Sequence, residues 1–459
     1  MNRYVYIKEP ISITISLGEI LLSVEDKSNR KGESLYTLNK DALNIIEKFT
    51  GQYTLDEIIE QLSNYYNEEL SEIKYKLEQF LKLIKNTYNL NIEYSSKKIK
   101  KEILIRDNED TCVPRVISIE LTHKCNFKCI HCYGEYDNQT LKTMDINKLK
   151  IFLRECKELG VEVIELTGGE ITMHPNISEI VSFIHQLGFR LVTLLTNGYI
   201  RNQQLYDVII QNKQNTVVQI DLHGNTEEYL EWFIKVPNTL EIVKENIKYL
   251  RNNGVTVRVV TVVTPRNVDQ IEEIAEWVHN LGVQNYGISP VIPEGRGNKD
   301  DSKLLFTDIE SFNRFQEVLN NLAQKYERKF LNLVDNDGLM KSRCGALVSN
   351  PSLSPNGDIK LCSMDGLDIT KSIGNVFEKS FKEIYENKLD FIHKFKELSS
   401  PNIQTSGCEE CDNLVFCSGC ILRAFKSGLE KGDKCLWFKE MVPDEIKETL
   451  IKTQTPALV

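Results

Sequence analysis

Between residues 116 and 300 the chain repeats a single alternation, and that alternation leaves few folds open. Strand-like apolar runs occur at 116–121, 161–167, 190–196, 216–222, 256–263 and 285–291. Helical stretches with one apolar stripe separate most of them, such as Ile146, Leu149, Phe152, Cys156 and Leu159, or Ile177, Ile180, Val181 and Ile184. Strands that alternate with helices predict a parallel sheet with helices on its outer face. Six such units are too few for a closed eight-stranded barrel. The α/β pattern therefore predicts a partial (β/α)6 TIM barrel, with its site at the C-terminal ends of the strands.

The first strand end carries the chemistry. Residues 118–133 read Ser-Ile-Glu-Leu-Thr-His-Lys-Cys-Asn-Phe-Lys-Cys-Ile-His-Cys-Tyr, which places Cys125, Cys129 and Cys132 in a C-x3-C-x2-C spacing. Three thiolates this close can wrap one small inorganic cluster, yet a four-iron cluster needs a terminal ligand on each iron and here lacks one. An open position admits a reactant, as it does in catalytic zinc sites. A zinc knuckle and a disulfide pair are the competing readings, and the spacing after a strand suits neither well. Later strand ends carry Thr167-Gly168-Gly169-Glu170, Thr196-Asn197-Gly198 and Asp221-Leu222-His223-Gly224. Paired glycines let backbone approach a ligand, and a carboxylate accepts hydrogen bonds from an ammonium group. His123, His131, His174 and His223 fall near the same site, where histidines more often pack than ligate. Cys156 lies on an apolar helix stripe and reads as a small buried hydrophobe.

Residues 1–94 form a different pattern. Residues 11–17 alternate as a half-buried strand, and Gly18 turns the chain into a second apolar run, Ile20 to Val24. A first helix has Asn39 as N-cap, a face of Ala42, Ile45, Ile46 and Phe49, and Gly51 as its stop. Thr54 and Glu57 form a capping box for a second helix with Leu55, Ile58, Ile59 and Leu62 buried. A third carries Ile73, Leu77, Phe80 and Ile84. Strands followed by three short helices predict a small winged-helix domain. Its third helix interleaves Lys74, Lys76, Lys82 and Lys85 with Glu69, Glu72 and Glu78, which is a solvated mixed face and not a phosphate-binding stripe. The formal charge of −10 likewise gives no reason to bind nucleic acid or an anionic membrane.

Residues 95–115 are polar and charged and read as a linker, with Cys112 near its end as a bystander. Residues 301–343 read as a helical bridge. From 344 to 459 seven cysteines follow: Cys344, Cys362, Cys408, Cys411, Cys417, Cys420 and Cys435. Gly357 marks a turn before a short strand that delivers Cys362. No apolar run has transmembrane length, and the first thirty residues lack the order of a signal peptide. The expected location is cytoplasmic, where twelve cysteines in one chain point to metal and not to disulfides.

The cysteine loop, followed by Gly-Gly-Glu and Thr-Asn-Gly on later strand ends, resembles radical S-adenosylmethionine (SAM) enzymes. The resemblance implies that SAM fills the open iron through its amino and carboxylate groups. It implies that Gly168, Gly169 and Glu170 hold the methionine amine, while Thr196, Asn197 and Asp221 contact the sugar and the carboxylate. Many relatives pair that carboxylate with an arginine soon after the fourth strand; residues 229–237 have none, and Lys235 stands in as a point charge. The C-terminal cysteines resemble the SPASM extension, with a final C-x2-C in place of the usual C-x3-C. By that resemblance Cys408, Cys411, Cys417 and Cys435 close one auxiliary cluster. Cys344, Cys362 and Cys420 hold another with one iron open, which can bind an incoming thiolate. Zinc, or an eighth ligand from Cys112 or Cys156, is the competing reading.

The stretches 38–42 (Leu-Asn-Lys-Asp-Ala) and 49–59 (Phe-Thr-Gly-Gln-Tyr-Thr-Leu-Asp-Glu-Ile-Ile) resemble the PqqD-like domain, where an extended leader peptide adds a strand to a sheet edge. The whole resembles sactisynthases, which join a cysteine sulfur to the α-carbon of another residue in a ribosomally made precursor peptide. This implies three 4Fe–4S clusters, SAM, a precursor peptide and a flavodoxin- or ferredoxin-type electron donor. Another radical modification (a β- or γ-carbon thioether, a carbon–carbon crosslink or epimerisation) is the alternative among enzymes. A non-catalytic iron–sulfur regulator with a DNA-binding winged helix is the alternative of another class.

Overall fold

The computed structural model describes residues 3–16, 19–26, 31–88, 90–107, 113–136, 142–298, 303–327, 330–333 and 345–452. Cys112 and Cys344 lie outside these residues. The chain divides into two units, Met1–Cys112 and Val113–Val459.

In the first unit the strands are β1 (Tyr4–Ile7), β2 (Ile11–Ser16), β3 (Glu19–Asp26), β4 (Lys31–Leu38), β5 (Thr50–Thr54), β6 (Ile92–Ser95) and β7 (Leu104–Asp107). The helices are α1 (Lys40–Ile46), α2 (Leu55–Tyr66) and α3 (Leu70–Tyr88). One sheet runs β5-β1-β6 and a second β4-β3-β2-β7. Asn39 caps α1 through Ala42 N, and Thr54 and Glu57 complete the reciprocal capping box of α2. The helices bury Ile46, Ile58, Leu62, Leu77 and Ile84 in one core with Ile13 and Leu22. On α3 the lysines are exposed, and Lys76 pairs with Glu68 and Glu72, so that face neutralises itself.

Two expectations change here. Gly51 does not stop α1. It sits in β5 at φ +77°, where a Cβ would lie 2.3 Å from the Ile99 side chain. The stretch 95–115 is also not a bare linker. Ile99 N and Lys101 N bond to the carbonyls of Gly51 and Thr50, and β7 pairs in parallel with β2. Its polar composition hides an edge strand that needs little apolar surface.

The second unit is built on β8 (Val116–Thr122), β9 (Val163–Gly168), β10 (Leu191–Thr196), β11 (Thr216–Asp221), β12 (Thr256–Val263), β13 (Asn285–Pro290), β14 (Leu331–Leu333), β15 (Ser352–Leu353) and β16 (Ile359–Lys360). The sheet order is β14-β13-β12-β11-β10-β9-β8-β15-β16. β8 to β14 are all parallel, β15 is parallel to β8, and β16 returns antiparallel through the turn at Gly357 (φ +92°). The six strand runs read from the sequence thus sit side by side in chain order. Part of the stretch read as a helical bridge, β14, extends their edge.

Between the strands run α4 (Ile146–Glu158), α5 (Ile177–Gln186), α6 (Gln203–Gln211), α7 (Glu227–Ile234), α8 (Leu240–Asn252), α9 (Ile271–Asn280) and α10 (Ile309–Lys325). Each buries its apolar stripe; on α4 this is Leu149, Phe152, Leu153 and Cys156, the last fully buried. The C-terminal part adds α11 (Phe381–Glu386), α12 (Leu389–Glu397), α13 (Leu414–Cys417), α14 (Ile421–Lys431) and α15 (Asp444–Leu450). Among the described residues no helix is long and apolar enough to cross a membrane.

Candidate functional site

The C-terminal strand ends face a cavity of about 300 Å³. Cys125, Cys129 and Cys132 line it, together with Gly168 at the end of β9, Gly169, Thr196 at the end of β10, Asn197, and Asp221 at the end of β11. In-register parallel pairing brings these ends to one level, so residues almost a hundred positions apart share one wall.

The cysteine loop is held from both sides. Lys128 N and Ile130 N donate to the carbonyls of Ile234 and Phe233 at the C-terminus of α7, at 3.0 and 2.9 Å. From the other side Arg296 Nε donates to Cys129 O at 2.8 Å and Nη1 to Tyr136 O at 3.0 Å, while its backbone N–H donates to Cys132 O. Gly295 (φ +56°) lets this turn approach, since a Cβ there would lie 2.3 Å from Tyr133 O. Sequence reasoning missed Arg296, although a lone arginine between two glycines just past the sixth strand was the available signal. Lys235, the expected arginine substitute, instead caps α7 in the left-handed conformation (φ 61°), is exposed and does not line the cavity.

The glycine pair serves close chain packing as well as ligand access. A Cβ on Gly169 would lie 2.3 Å from Lys124 O, and one on Gly168 2.4 Å from Thr122 O. Those carbonyls already accept Glu170 N and Gly169 N, at 2.8 and 2.7 Å, so neither strand end can retreat. Gly169→Ala is expected to destabilise the protein by about 3 kcal/mol or more, read from the denaturant midpoint.

Glu170 does not line the cavity. It is 1% exposed, and its oxygens accept from Thr172 N, Thr172 Oγ1, Thr196 Oγ1 and Asn197 N at 2.7–2.9 Å. Burial raises its pKa against these bonds. The carboxylate thus bolts the ends of β9 and β10 together behind the wall, and Asn197 Nδ2 extends the link to Asn126 Oδ1 at 2.8 Å in the cysteine loop.

Asp221 does face the cavity. Burial and then the charge of Glu170 push its pKa up to about 7, against the pull of Arg258. Because the folded pKa lies above the unfolded 3.8, the native state holds the proton more tightly. Stability is then full below the unfolded value and declines as pH rises through the interval up to about 7. In ligand-free protein Asp221→Asn is expected to gain about 2 kcal/mol over the parent above that pH and nothing near pH 4, measured by denaturation across the range. A bound cation would remove the penalty, which makes Asp221 suited to a positively charged ligand.

The histidines pack. His131 stacks on Phe233 at 4.2 Å and meets His223 edge-on at 4.9 Å; both line the cavity. Burial pushes His223 down to about 4 and His131 well below its usual range, so both are neutral at pH 7. His174 is buried behind the site with Nε2 on Met144 O at 2.9 Å, and His123 contacts Glu120.

A second group of thiols lies in the C-terminal part. Burial pushes Cys408 up to about 11, and the charges of Cys435, Cys411 and Cys417 add to it. Lys431 Nζ donates to Cys411 Sγ at 3.1 Å and lowers its pKa. Cys420 caps α14 one turn beyond Cys417. Cys362 follows the end of β16 by two residues, is partly exposed, and is not among the residues that line the cavity. None of the ten described cysteines forms a disulfide.

A profile of the radical SAM superfamily matches residues 119–278, and one of the SPASM iron–sulfur cluster-binding domain matches residues 344–412. The chain is a radical SAM enzyme with a SPASM domain. Its curated relatives include the antilisterial bacteriocin subtilosin biosynthesis protein AlbA of Bacillus subtilis, 27% identical over 414 residues, 89% of this chain and 90% of AlbA. An AdoMet-dependent heme synthase of Methanosarcina barkeri is 26% identical over 71% of this chain and 97% of its own. Among solved structures, Streptococcus suis SuiB bound to S-adenosylmethionine covers 92% of this chain and 96% of SuiB at a TM-score of 0.61 and 16% identity. SuiB bound to its precursor peptide SuiA gives 0.60 at 17%. At that identity the likeness is one of fold.

The residues of the radical SAM domain fit an iron–sulfur cluster with SAM. Three thiols share a cavity whose lining holds no fourth among the described residues, and the carboxylate of Asp221 faces the same cavity. Burial raises the pKa of Cys129 and Cys132 despite Arg296, so the thiolates await a metal's positive charge.

Proposed function

We propose that this enzyme forms thioether crosslinks between a cysteine sulfur and a carbon, the α-carbon as first choice, in a ribosomally made precursor peptide. The observation that carries the reading is the set of Cys125, Cys129 and Cys132 on one cavity with the C-terminal strand ends, in a chain that also carries a SPASM domain. The similarity to AlbA, which spans both the radical SAM and SPASM regions, supports it.

Cys125, Cys129 and Cys132 would hold one 4Fe–4S cluster, Cys408, Cys411, Cys417 and Cys435 a second, and Cys362 and Cys420 with Cys344 a third that lacks one protein ligand. A reduced cluster held there would supply the electron for cleavage of SAM to methionine and a 5′-deoxyadenosyl radical. Gly168, Gly169, Thr196, Asn197 and Asp221 would place SAM, Asp221 by its charge and the glycines by exposing backbone. Glu170 would act from behind, by fixing Thr196 and Asn197. Phe127, Leu195, Val262, Ile292 and Met364 in the lining exclude water from the reacting carbon. The incomplete set at Cys362 leaves a position for the substrate sulfur.

The first unit would serve as a winged-helix leader-binding domain. In its four-stranded sheet β4 and β7 are the edge strands, and neither has a described partner on its outer side, which leaves an edge for an added strand. The electron donor would be of flavodoxin or ferredoxin type, and the second unit's sheet would curve as a partial (β/α)6 barrel.

The test is anaerobic incubation with SAM, reductant and a cysteine-containing precursor peptide encoded beside this chain. The expected product is lighter by two hydrogens per link, and fragmentation assigns the sulfur-bound carbon. An unchanged peptide mass, or a link without sulfur, would defeat the reading.

A further inference from the structure

A buried ion pair joins the cluster loop of the radical SAM domain to the strand that delivers Cys362. Glu120 on β8 and Lys360 on β16 are 1% and 4% exposed, and Lys360 Nζ donates to Glu120 Oε1 at 2.6 Å. Tyr136 Oη donates to the same oxygen at 2.9 Å, and His123 Nε2 lies 3.3 Å from the other. Glu120 precedes Cys125 by five residues, Tyr136 follows Cys132 by four, and Lys360 precedes Cys362 by two. The network therefore grips both ends of the cluster loop and the approach to the second thiol set. A second pair, Lys426 of α14 with Glu294, ties the helix that starts after Cys420 to the turn that carries Arg296.

Stability alone does not explain a buried ion pair, because desolvation offsets its attraction and apolar residues of similar volume usually serve as well. Register does explain it. Ser118, Ser352 and Lys360 stand opposite one another across β8, β15 and β16, so Lys360 projects from the same face as Glu120. A one-residue slip of the short β16 would put Ile359 or Leu361 there and turn Cys362 away. Two-residue strands pair too weakly to prevent that slip themselves.

We infer that Glu120 and Lys360 are a positioning pair that sets the Cys362 iron site at a fixed distance from the SAM cavity. The radical formed at one is thereby aligned with the sulfur held at the other. This rests on the peptide-crosslinking reading for its consequence, though not for its geometry.

The test uses the full chain with its clusters, as Lys360→Met and as Glu120→Gln with Lys360→Met, which keeps volume and removes both charges. In Lys360→Met, which leaves Tyr136 and His123 on Glu120, iron and sulfide content should match the parent and 5′-deoxyadenosine should form at a rate within about twofold of it. Product per 5′-deoxyadenosine should fall about tenfold or more. Pulsed EPR should show a broadened dipolar coupling between the reduced SAM cluster and the auxiliary cluster. Parent-like coupling and product ratio would overturn the inference, as would loss of iron from the Cys362 site, which would make the pair a folding element. If the parent itself forms no crosslink, the crosslinking reading fails, and the dipolar measurement alone decides: broadened coupling supports the pair, unchanged coupling overturns it.

Discussion

Cys362→Ala is expected to cut thioether product by about 100-fold or more while 5′-deoxyadenosine continues to form. On the proposed reading the two activities separate because the thiols that would hold the SAM cluster and the strand ends that would hold SAM line one cavity, and Cys362 is not part of that lining. Without an iron to bind it, the substrate sulfur loses both position and thiolate character. A free thiol is only a few per cent ionised at neutral pH, and pre-positioning a reactant is worth several orders of magnitude in effective concentration. Product and 5′-deoxyadenosine are read together by mass spectrometry under anaerobic conditions. Retention of full crosslinking would remove Cys362 from the mechanism, and loss of both activities would show that the two thiol sets are not independent.

Arg296→Met is expected to lose most of the iron of the SAM cluster while the SPASM-domain iron remains. The guanidinium supplies two charge-assisted hydrogen bonds to loop carbonyls, those of Cys129 and Tyr136, and each is worth about 1.5–3 kcal/mol. Their loss raises the population of open loop by roughly 100-fold or more, since 1.4 kcal/mol is tenfold. It also removes the positive charge that opposes the raised pKa of Cys129 and Cys132. SAM cleavage should fall at least about tenfold, and Arg296→Lys should recover little, because one ammonium cannot span two divergent carbonyls. Iron and sulfide analysis with Mössbauer or EPR quantitation of each cluster decides the matter; parent-like iron in Arg296→Met would refute it.

Local pattern made much of this protein legible. Periodicity placed six parallel strands and the helices between them, because a buried face must repeat at the period of its element whatever lies elsewhere. Capping chemistry located α1 and α2 at Asn39 and Thr54 for the same reason: the orphan N–H groups need partners within three residues. The C-x3-C-x2-C spacing marked three thiols that the structure sets on one cavity, because so short a loop keeps them close.

What stayed hidden depended on contacts between residues far apart in the chain. Arg296 reaches the cysteine loop from more than 160 positions away, and Lys360 meets Glu120 across 240. Lys235 had the right charge near the right strand, yet the left-handed end of α7 leaves it outside the cavity. Glu170 had the right carboxylate, yet the tertiary fold spends it on four internal hydrogen bonds. Short strands such as β7 and β14 left no periodic trace because three or four residues are too few to show one. Sequence by itself determined which elements form and which side chains can bind metal. The tertiary structure alone decided which of those side chains face one another, because a loop's direction is set by the partners that hold its backbone.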